Sequence, residues 1–127
     1  MRSLRRVMIA DDNRVFRAVL RELFEDMKAE VVEAANGRDA YTKVVAESFD
    51  LLVVDLLMPQ MDGFEVMTKL QAVPAAERPV VFFTTAVYKG RRWENEALHT
   101  YAADEFLPKP IDPETLTAAV KRHFIIS

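Results

Sequence analysis

The stretch Leu51-Leu52-Val53-Val54-Asp55 (residues 51–55) holds four apolar residues in succession and then a carboxylate. A strand with one wet face would alternate. An unbroken apolar run reads instead as a strand buried on both faces. Val80–Phe83 repeats that pattern, and Val7–Ala10, Val31–Ala34 and Glu105–Leu107 supply three shorter strands. Between them the apolar period becomes helical. Phe16, Leu20, Leu23, Phe24 and Met27 fall on one helical face, and Ala40, Tyr41, Val44 and Val45 suggest a second helix. Phe64, Val66, Met67 and Leu70 suggest a third, and Trp93, Ala97, Leu98 and Tyr101 a fourth. Leu116, Ala119 and Val120 mark a fifth, with Asp112 as its cap and Pro113 at its first position. Asn36-Gly37 reads as a turn and Pro74–Pro79 as a loop. Five strands alternating with five helices, with Leu51–Val54 and Val80–Phe83 apolar at every position, predict an α/β fold. Its parallel sheet is covered by helices on both faces, and right-handed crossovers make it doubly wound.

The 127 residues suit one domain, 1–127, with no internal repeat or linker. Half are hydrophobic and 29% are charged, a globular balance. The absence of cysteine excludes disulfides, zinc ribbons, Fe–S clusters and a thiol nucleophile. Two histidines, His99 and His123, are too few for a multi-histidine metal site, and neither is assigned a role. With 17 basic and 20 acidic residues the net charge is -3, which argues against direct nucleic-acid binding. The apolar run at Val7–Ala10 is too short for a secretory signal, and no run approaches the ~18–20 residues of a membrane span. A cytoplasmic location is expected, with no membrane contact.

In an open α/β sheet, ligands bind beyond the carboxyl ends of the strands. There the sequence delivers Asp11-Asp12, Asp55, Thr84-Thr85 and Lys109. Three carboxylates gathered at one edge repel, by roughly 4 kcal/mol per pair at ~4 Å and an effective dielectric near 20. They require a cation or a raised pKa. Oxygen ligands select a hard ion, and Mg²⁺ is the usual choice beside phosphates. A carboxylate can also act as nucleophile toward a phosphoryl group, giving an aspartyl-phosphate, with the metal and Lys109 stabilising the phosphoryl oxygens. Asp12 and Asn13 could alternatively cap the first helix. Strand alternation sends Thr84 and Thr85 to opposite faces, so only one of them can serve.

Four segments, VMIADDN (7–13), LLVVDLLMPQMDG (51–63), VVFFTTA (80–86) and ADEFLPKP (103–110), resemble the receiver domains of two-component response regulators, and the resemblance runs the length of the chain. It implies a flavodoxin-like fold of strand order 2-1-3-4-5. It implies Asp55 as phosphoacceptor, and Asp11, Asp12, Asp55 and the backbone carbonyl of Leu57 as Mg²⁺ ligands, with Asp12 the more direct of the acidic pair. It further implies Thr85 as the switching hydroxyl, Lys109 as the phosphoryl-binding lysine before a cis proline bond, and Phe106 as the switch aromatic that turns inward when Thr85 moves. The phosphodonor would be a histidine kinase or a histidine phosphotransfer protein. It would dock beside Arg14, Val15 and Ala18. The output would pass to a downstream protein or a second protomer through the face of helix four, strand five and helix five. Such a domain is a signalling phosphoacceptor and not an enzyme in the ordinary sense.

Three features depart from the pattern. The segment from Thr85 to Lys109 is about two residues longer than in relatives, and the surplus is expected in the Val87–Trp93 loop. Ala102 stands where many relatives have Gly, which accepts positive φ at a helix end, so either Ala102 is strained or the turn differs here. Leu57 and Val87, which flank the path of the attacking water in receivers, are both apolar, so slow self-dephosphorylation is expected. Apart from these, Lys89, Arg91 and Arg92 before Trp93 read as a solvated loop or a contact for an acidic partner or a second protomer. Two rivals have the same general chemistry or architecture. An aspartate-nucleophile phosphatase needs an Asp-x-Asp pattern after the first strand, and a flavodoxin-like FMN carrier needs a Ser/Thr/Gly-rich phosphate loop there. The contiguous Asp11-Asp12 suits neither. The apolar end, Phe124–Ile126, fits a packed helix end or a junction to further chain, and the length suggests a receiver without its effector.

Overall fold

The computed structural model describes residues 1–126. Five strands, β2 (Arg6–Ala10), β3 (Glu30–Ala34), β4 (Leu51–Asp55), β5 (Val80–Thr85) and β6 (Glu105–Pro108), form one parallel sheet. The order is β3-β2-β4-β5-β6. Counting only these five strands, that is 2-1-3-4-5. Five helices connect and follow them: α1 (Arg14–Asp26), α2 (Gly37–Ala46), α3 (Gly63–Leu70), α4 (Arg91–Asn95) and α5 (Pro113–Lys121).

Alternate residues along each strand enter two separate cores. Met8, Val54, Phe83 and Phe106 pack beneath α2 and α3, with Val66 and Leu70 of α3. Ile9, Val53, Phe82 and Leu107 pack beneath α1 and α5, with Leu20, Phe24 and Leu116. This two-sided burial is why the strands read as continuous apolar runs. Complete burial of side chains such as Phe24, Phe82 or Leu116 contributes roughly 1.5–3 kcal/mol each. Not every helical position read as apolar lies inside: Ala40 and Val44 of α2 are buried, whereas Val45 is exposed.

Local chemistry starts the helices. Asn13, Asn36, Asp62 and Asp112 each accept the amide three residues on, from Phe16 (3.0 Å), Asp39 (2.9 Å), Glu65 (2.8 Å) and Thr115 (2.8 Å). Asn13 is therefore the cap of α1, which frees Asp12 from that task. A methyl at Gly63 would meet the Asp55 carbonyl oxygen at 2.6 Å, so only glycine lets α3 begin against the end of β4.

Two features differ from the sequence reading, the fourth helix and the last strand, and Ala102 meets the strained alternative expected of it. The fourth helix is α-helical only over Arg91–Asn95. It then widens into a π-turn, Glu96–Thr100, closed by the Tyr101 amide on the Glu96 carbonyl (3.1 Å). The irregularity thus extends into the helix and is not confined to the loop before it; a π-turn accommodates one additional residue. Ala102 follows with φ of 60°, a left-handed conformation that costs a residue bearing a Cβ. Finally, α5 stops at Lys121, and the end of the chain becomes a strand. β7 (Phe124–Ile125) pairs in parallel with β1 (Arg2–Ser3) as a separate two-stranded sheet. Phe124 is drawn into the core beneath α1 and α5, which neither end's short pattern announces. Among the described residues no helix is long and apolar enough to cross a membrane.

Candidate functional site

The carboxyl ends of β2, β4, β5 and β6 converge on an open cleft of about 470 Å³ lined by Asp12, Asn13, Asp55, Leu57, Met58, Pro59, Ala86, Val87 and Lys109. Asp11 and Asp55 are buried and Asp12 is exposed. One carboxylate oxygen from each lies within 4.8 Å of the others. Lys109 Nζ donates to Asp11 Oδ2 at 2.6 Å and to Asp55 Oδ2 at 3.2 Å. The other oxygen of each buried carboxylate accepts a backbone amide, Asn13 N–H on Asp11 (2.8 Å) and Leu57 N–H on Asp55 (3.1 Å). Two tight turns therefore aim both carboxylates. The Lys109–Pro110 bond is cis, as expected.

Burial is the largest influence on Asp55 and pushes its carboxyl up. The Leu57 amide opposes this, the Asp11 charge adds to it and Lys109 counters it, and the net result lies above the ordinary carboxylate value. Burial likewise works against the Lys109 charge. The Asp11 hydrogen bond and the charges of Asp55 and Asp11 outweigh it and hold the ammonium above its usual value. Three carboxylates and one ammonium leave a formal charge of about -2 at the cleft, which a single divalent cation neutralises. An all-oxygen donor set of this kind fits Mg²⁺ in chemistry and in charge.

Strand alternation separates the two threonines. Thr85 has the parity of Phe83 and faces the α3 side, and its Oγ1 accepts the amides of Val87 (3.0 Å) and Tyr88 (2.8 Å). Thr84 has the parity of Phe82, on the α1/α5 side, and sits in register with Asp55. Its Oγ1 is the one buried side-chain polar atom without a hydrogen-bond partner among the described residues. Phe106 shares the side of Thr85 but is only 7% exposed. It packs in the core cluster with Phe83 and Val54.

Around the cleft, Leu57 and Val87 are 50% and 61% exposed. Arg14, Val15 and Ala18 lie at the surface of α1, joined by Val19, which the helical reading had not singled out. Lys89, Arg91 and Arg92 are exposed and make no ion pair among the described residues; Arg92 lies over the Trp93 ring, 5.2 Å from its centroid. Two site neighbours escaped the sequence reading. Arg17 donates to the Asp11 carbonyl at 2.6 Å and to Glu33 Oε1 at 2.9 Å. Phe16, read only as part of an apolar helical face, has the Lys109 ammonium over its ring. Each lies one helical turn beyond the acidic pair, which was the available signal.

Comparison with known proteins agrees with this geometry. The family model described as the response regulator receiver domain matches residues 7–121. The transcriptional regulatory protein SrrA of Staphylococcus aureus is 30% identical over 115 residues, covering 91% of this chain and 46% of SrrA. The chain thus spans about half the length of that relative. Among solved structures, the chemotaxis protein CheY4 of Vibrio cholerae superposes with a TM-score of 0.84 at 27% identity, covering 96% of this chain and 100% of that one. A CheY-like receiver domain protein of Methanospirillum hungatei gives 0.83 at 26% identity, covering 94% and 93%. The order of the strands, the carboxylates at their ends and the match over nearly the whole sequence lead to one conclusion: this chain belongs to the response regulator receiver domain family of two-component signalling.

Proposed function

We propose that this domain is a cytoplasmic phosphorylation switch in which Asp55 accepts a phosphoryl group from a partner phosphohistidine, with Mg²⁺ held by Asp11, Asp12, Asp55 and the Leu57 carbonyl. The observation that carries the reading is the Lys109 ammonium spanning Asp11 and Asp55 at the floor of an open cleft that retains excess negative charge. Such a site binds a divalent cation and then a phosphoryl group without any further acid or base. When bound, the metal supplies the charge that lets three carboxylates coexist and draws electron density from the phosphoryl oxygens.

A carboxylate oxygen of Asp55 attacks phosphorus, and the phosphorus–nitrogen bond to the donor imidazole breaks. The imidazole leaves with the bonding pair and takes a proton from solvent. Lys109 meets the charge of the transferred group. Thr85 does not line the cleft, and its hydroxyl is engaged by two loop amides. Turning toward the phosphoryl group therefore loosens the Val87–Tyr88 segment and biases the α4, β6 and α5 face between two arrangements. That face serves a downstream protein or a second protomer, and the apolar strip of Val15, Ala18 and Val19 beside Arg14 on α1 receives the phosphodonor.

Acetyl-phosphate labelling with Mg²⁺ tests the assignment. The natural chain takes up phosphate and Asp55→Asn does not; equal labelling of both refutes Asp55 as the acceptor. Exposed Leu57 and Val87 offer no polar atom to orient an attacking water, so the phosphorylated form is long-lived. Leu57→Asn shortens its lifetime, and a lifetime that is unchanged or longer contradicts this account.

A further inference from the structure

Lys109 reaches its two carboxylates from under an aromatic ring. Its Nζ lies 4.1 Å from the centroid of Phe16, in the first turn of α1. The backbone carrying that ring is pinned, because the Phe16 amide donates to the Asn13 cap at 3.0 Å. An ammonium has three hydrogens to place. Asp11 Oδ2 and Asp55 Oδ2 take two of them, and the ring face stands where water would otherwise solvate the charge. The contact to Asp11 is the shorter one, 2.6 against 3.2 Å. On a flexible four-carbon stem, the ammonium is thus free to settle wholly on Asp11 and leave Asp55 unless something holds it between them.

We propose that Phe16 is a positioning residue for Lys109: the face of its ring holds the ammonium at Asp55, where the incoming phosphoryl group needs it. The proposal rests on the reading of Asp55 as phosphoacceptor. It goes further, because a leucine would fill the same half-buried position in α1 and would offer the cation nothing.

Five readouts on the full chain test it. Phe16→Leu slows acetyl-phosphate labelling of Asp55 by about 3- to 30-fold at saturating Mg²⁺, the range of one cation–π contact. Its Mg²⁺ affinity stays within about twofold of the natural chain, since the ring touches no carboxylate oxygen on this reading. Phe16→Tyr restores the rate, because it restores the ring. In a Lys109→Met background, Phe16→Leu slows labelling no further. Independently of labelling, the ε-methylene protons of Lys109 resonate upfield in the proton spectrum of the unphosphorylated protein, and the shift disappears in Phe16→Leu. An unchanged labelling rate, an equal slowing without the lysine, failure of Phe16→Tyr to restore the rate, or no ring-induced shift overturns the proposal. Failure of the natural chain to label at Asp55 overturns the acceptor reading, and the positioning role with it. The proton shift still reports the contact in that event, so the two failures are told apart.

Discussion

Helices α1 and α5 run regularly for 13 and 9 residues against one side of the sheet, each begun by a side-chain cap. On the other side, beyond β5, the chain makes five residues of α-helix without a side-chain cap, then a π-turn, then a left-handed alanine. The first region is held by fully buried Phe24, Phe82, Leu116 and Phe124. The second is held largely by half-exposed aromatic rings in tilted contact: Tyr88 packs on Trp93 with centroids 4.6 Å apart, and Phe64 on Tyr101 at 4.6 Å. The functional groups divide along the same line. Asp11, Asp55 and Lys109 share the strand parity of the regular side, and Thr85 that of the irregular side. Under the proposed function, chemistry that needs fixed distances rests on the region that resists motion, and the hydroxyl proposed to move is joined to the region with little to hold it.

Substitutions that should fall unequally on the two regions can break this comparison. Phe24→Ala costs about 3–5 kcal/mol, a full cavity in the regular side. Trp93→Ala, at a half-exposed ring, costs about 1–2 kcal/mol. Urea unfolding measures both, and a larger loss at Trp93 reverses the contrast. Thr84→Val removes the orphaned hydroxyl beside Asp55 at nearly constant shape, and stability rises by about 1–2 kcal/mol. A drop in the unfolding midpoint would mean that this hydroxyl has a partner in solution. Ala102→Gly relieves the left-handed backbone at the end of the irregular helix for a gain of about 0.5–1 kcal/mol.

The smallest effect concerns the ion pairs of the regular side. Glu33 bridges Arg17 (2.9 Å) and Arg21 (2.6 Å). Burial raises its pKa, but the hydrogen bonds from the two arginines outweigh this and bring it below the ordinary carboxylate value. A depressed pKa in the folded state stabilises above the unfolded value and ceases to do so as pH falls through the folded one. Glu33→Gln therefore lowers stability by about 0.5 kcal/mol at neutral pH, and the two proteins converge in acid. A difference that persists at pH 3 would assign the effect to packing and not to charge.

Several elements were legible because their cause is local. Leu51–Val54 and Val80–Phe83 declared buried strands by lacking alternation, and Asp112-Pro113 declared a helix start by its capping chemistry. The acidic pair, Asp55 and Lys109 were legible as a group because strand ends collect at one edge in this fold class. The shape of α4 was not. Its short α-helical stretch and π-turn lie where Trp93, Tyr88 and Tyr101 pack on Phe64, a contact set with no periodic signature in the chain. The β1–β7 pair was equally hidden. Two-residue strands carry too few residues to show a period, and each exists only because the other end of the chain lies beside it.

Residue order alone settled the alternation of elements, the two-sided burial of the strands and the helix starts, since these depend on periods and caps spanning a few neighbours. Folding in three dimensions settled which groups touch. It set Lys109 between Asp11 and Asp55 across separations of 98 and 54 residues, laid Phe16 over its charge, and turned Thr85 from the acidic site toward Tyr88. Distances of a few ångströms between residues so far apart come from the register and twist of the whole sheet, which no local pattern encodes.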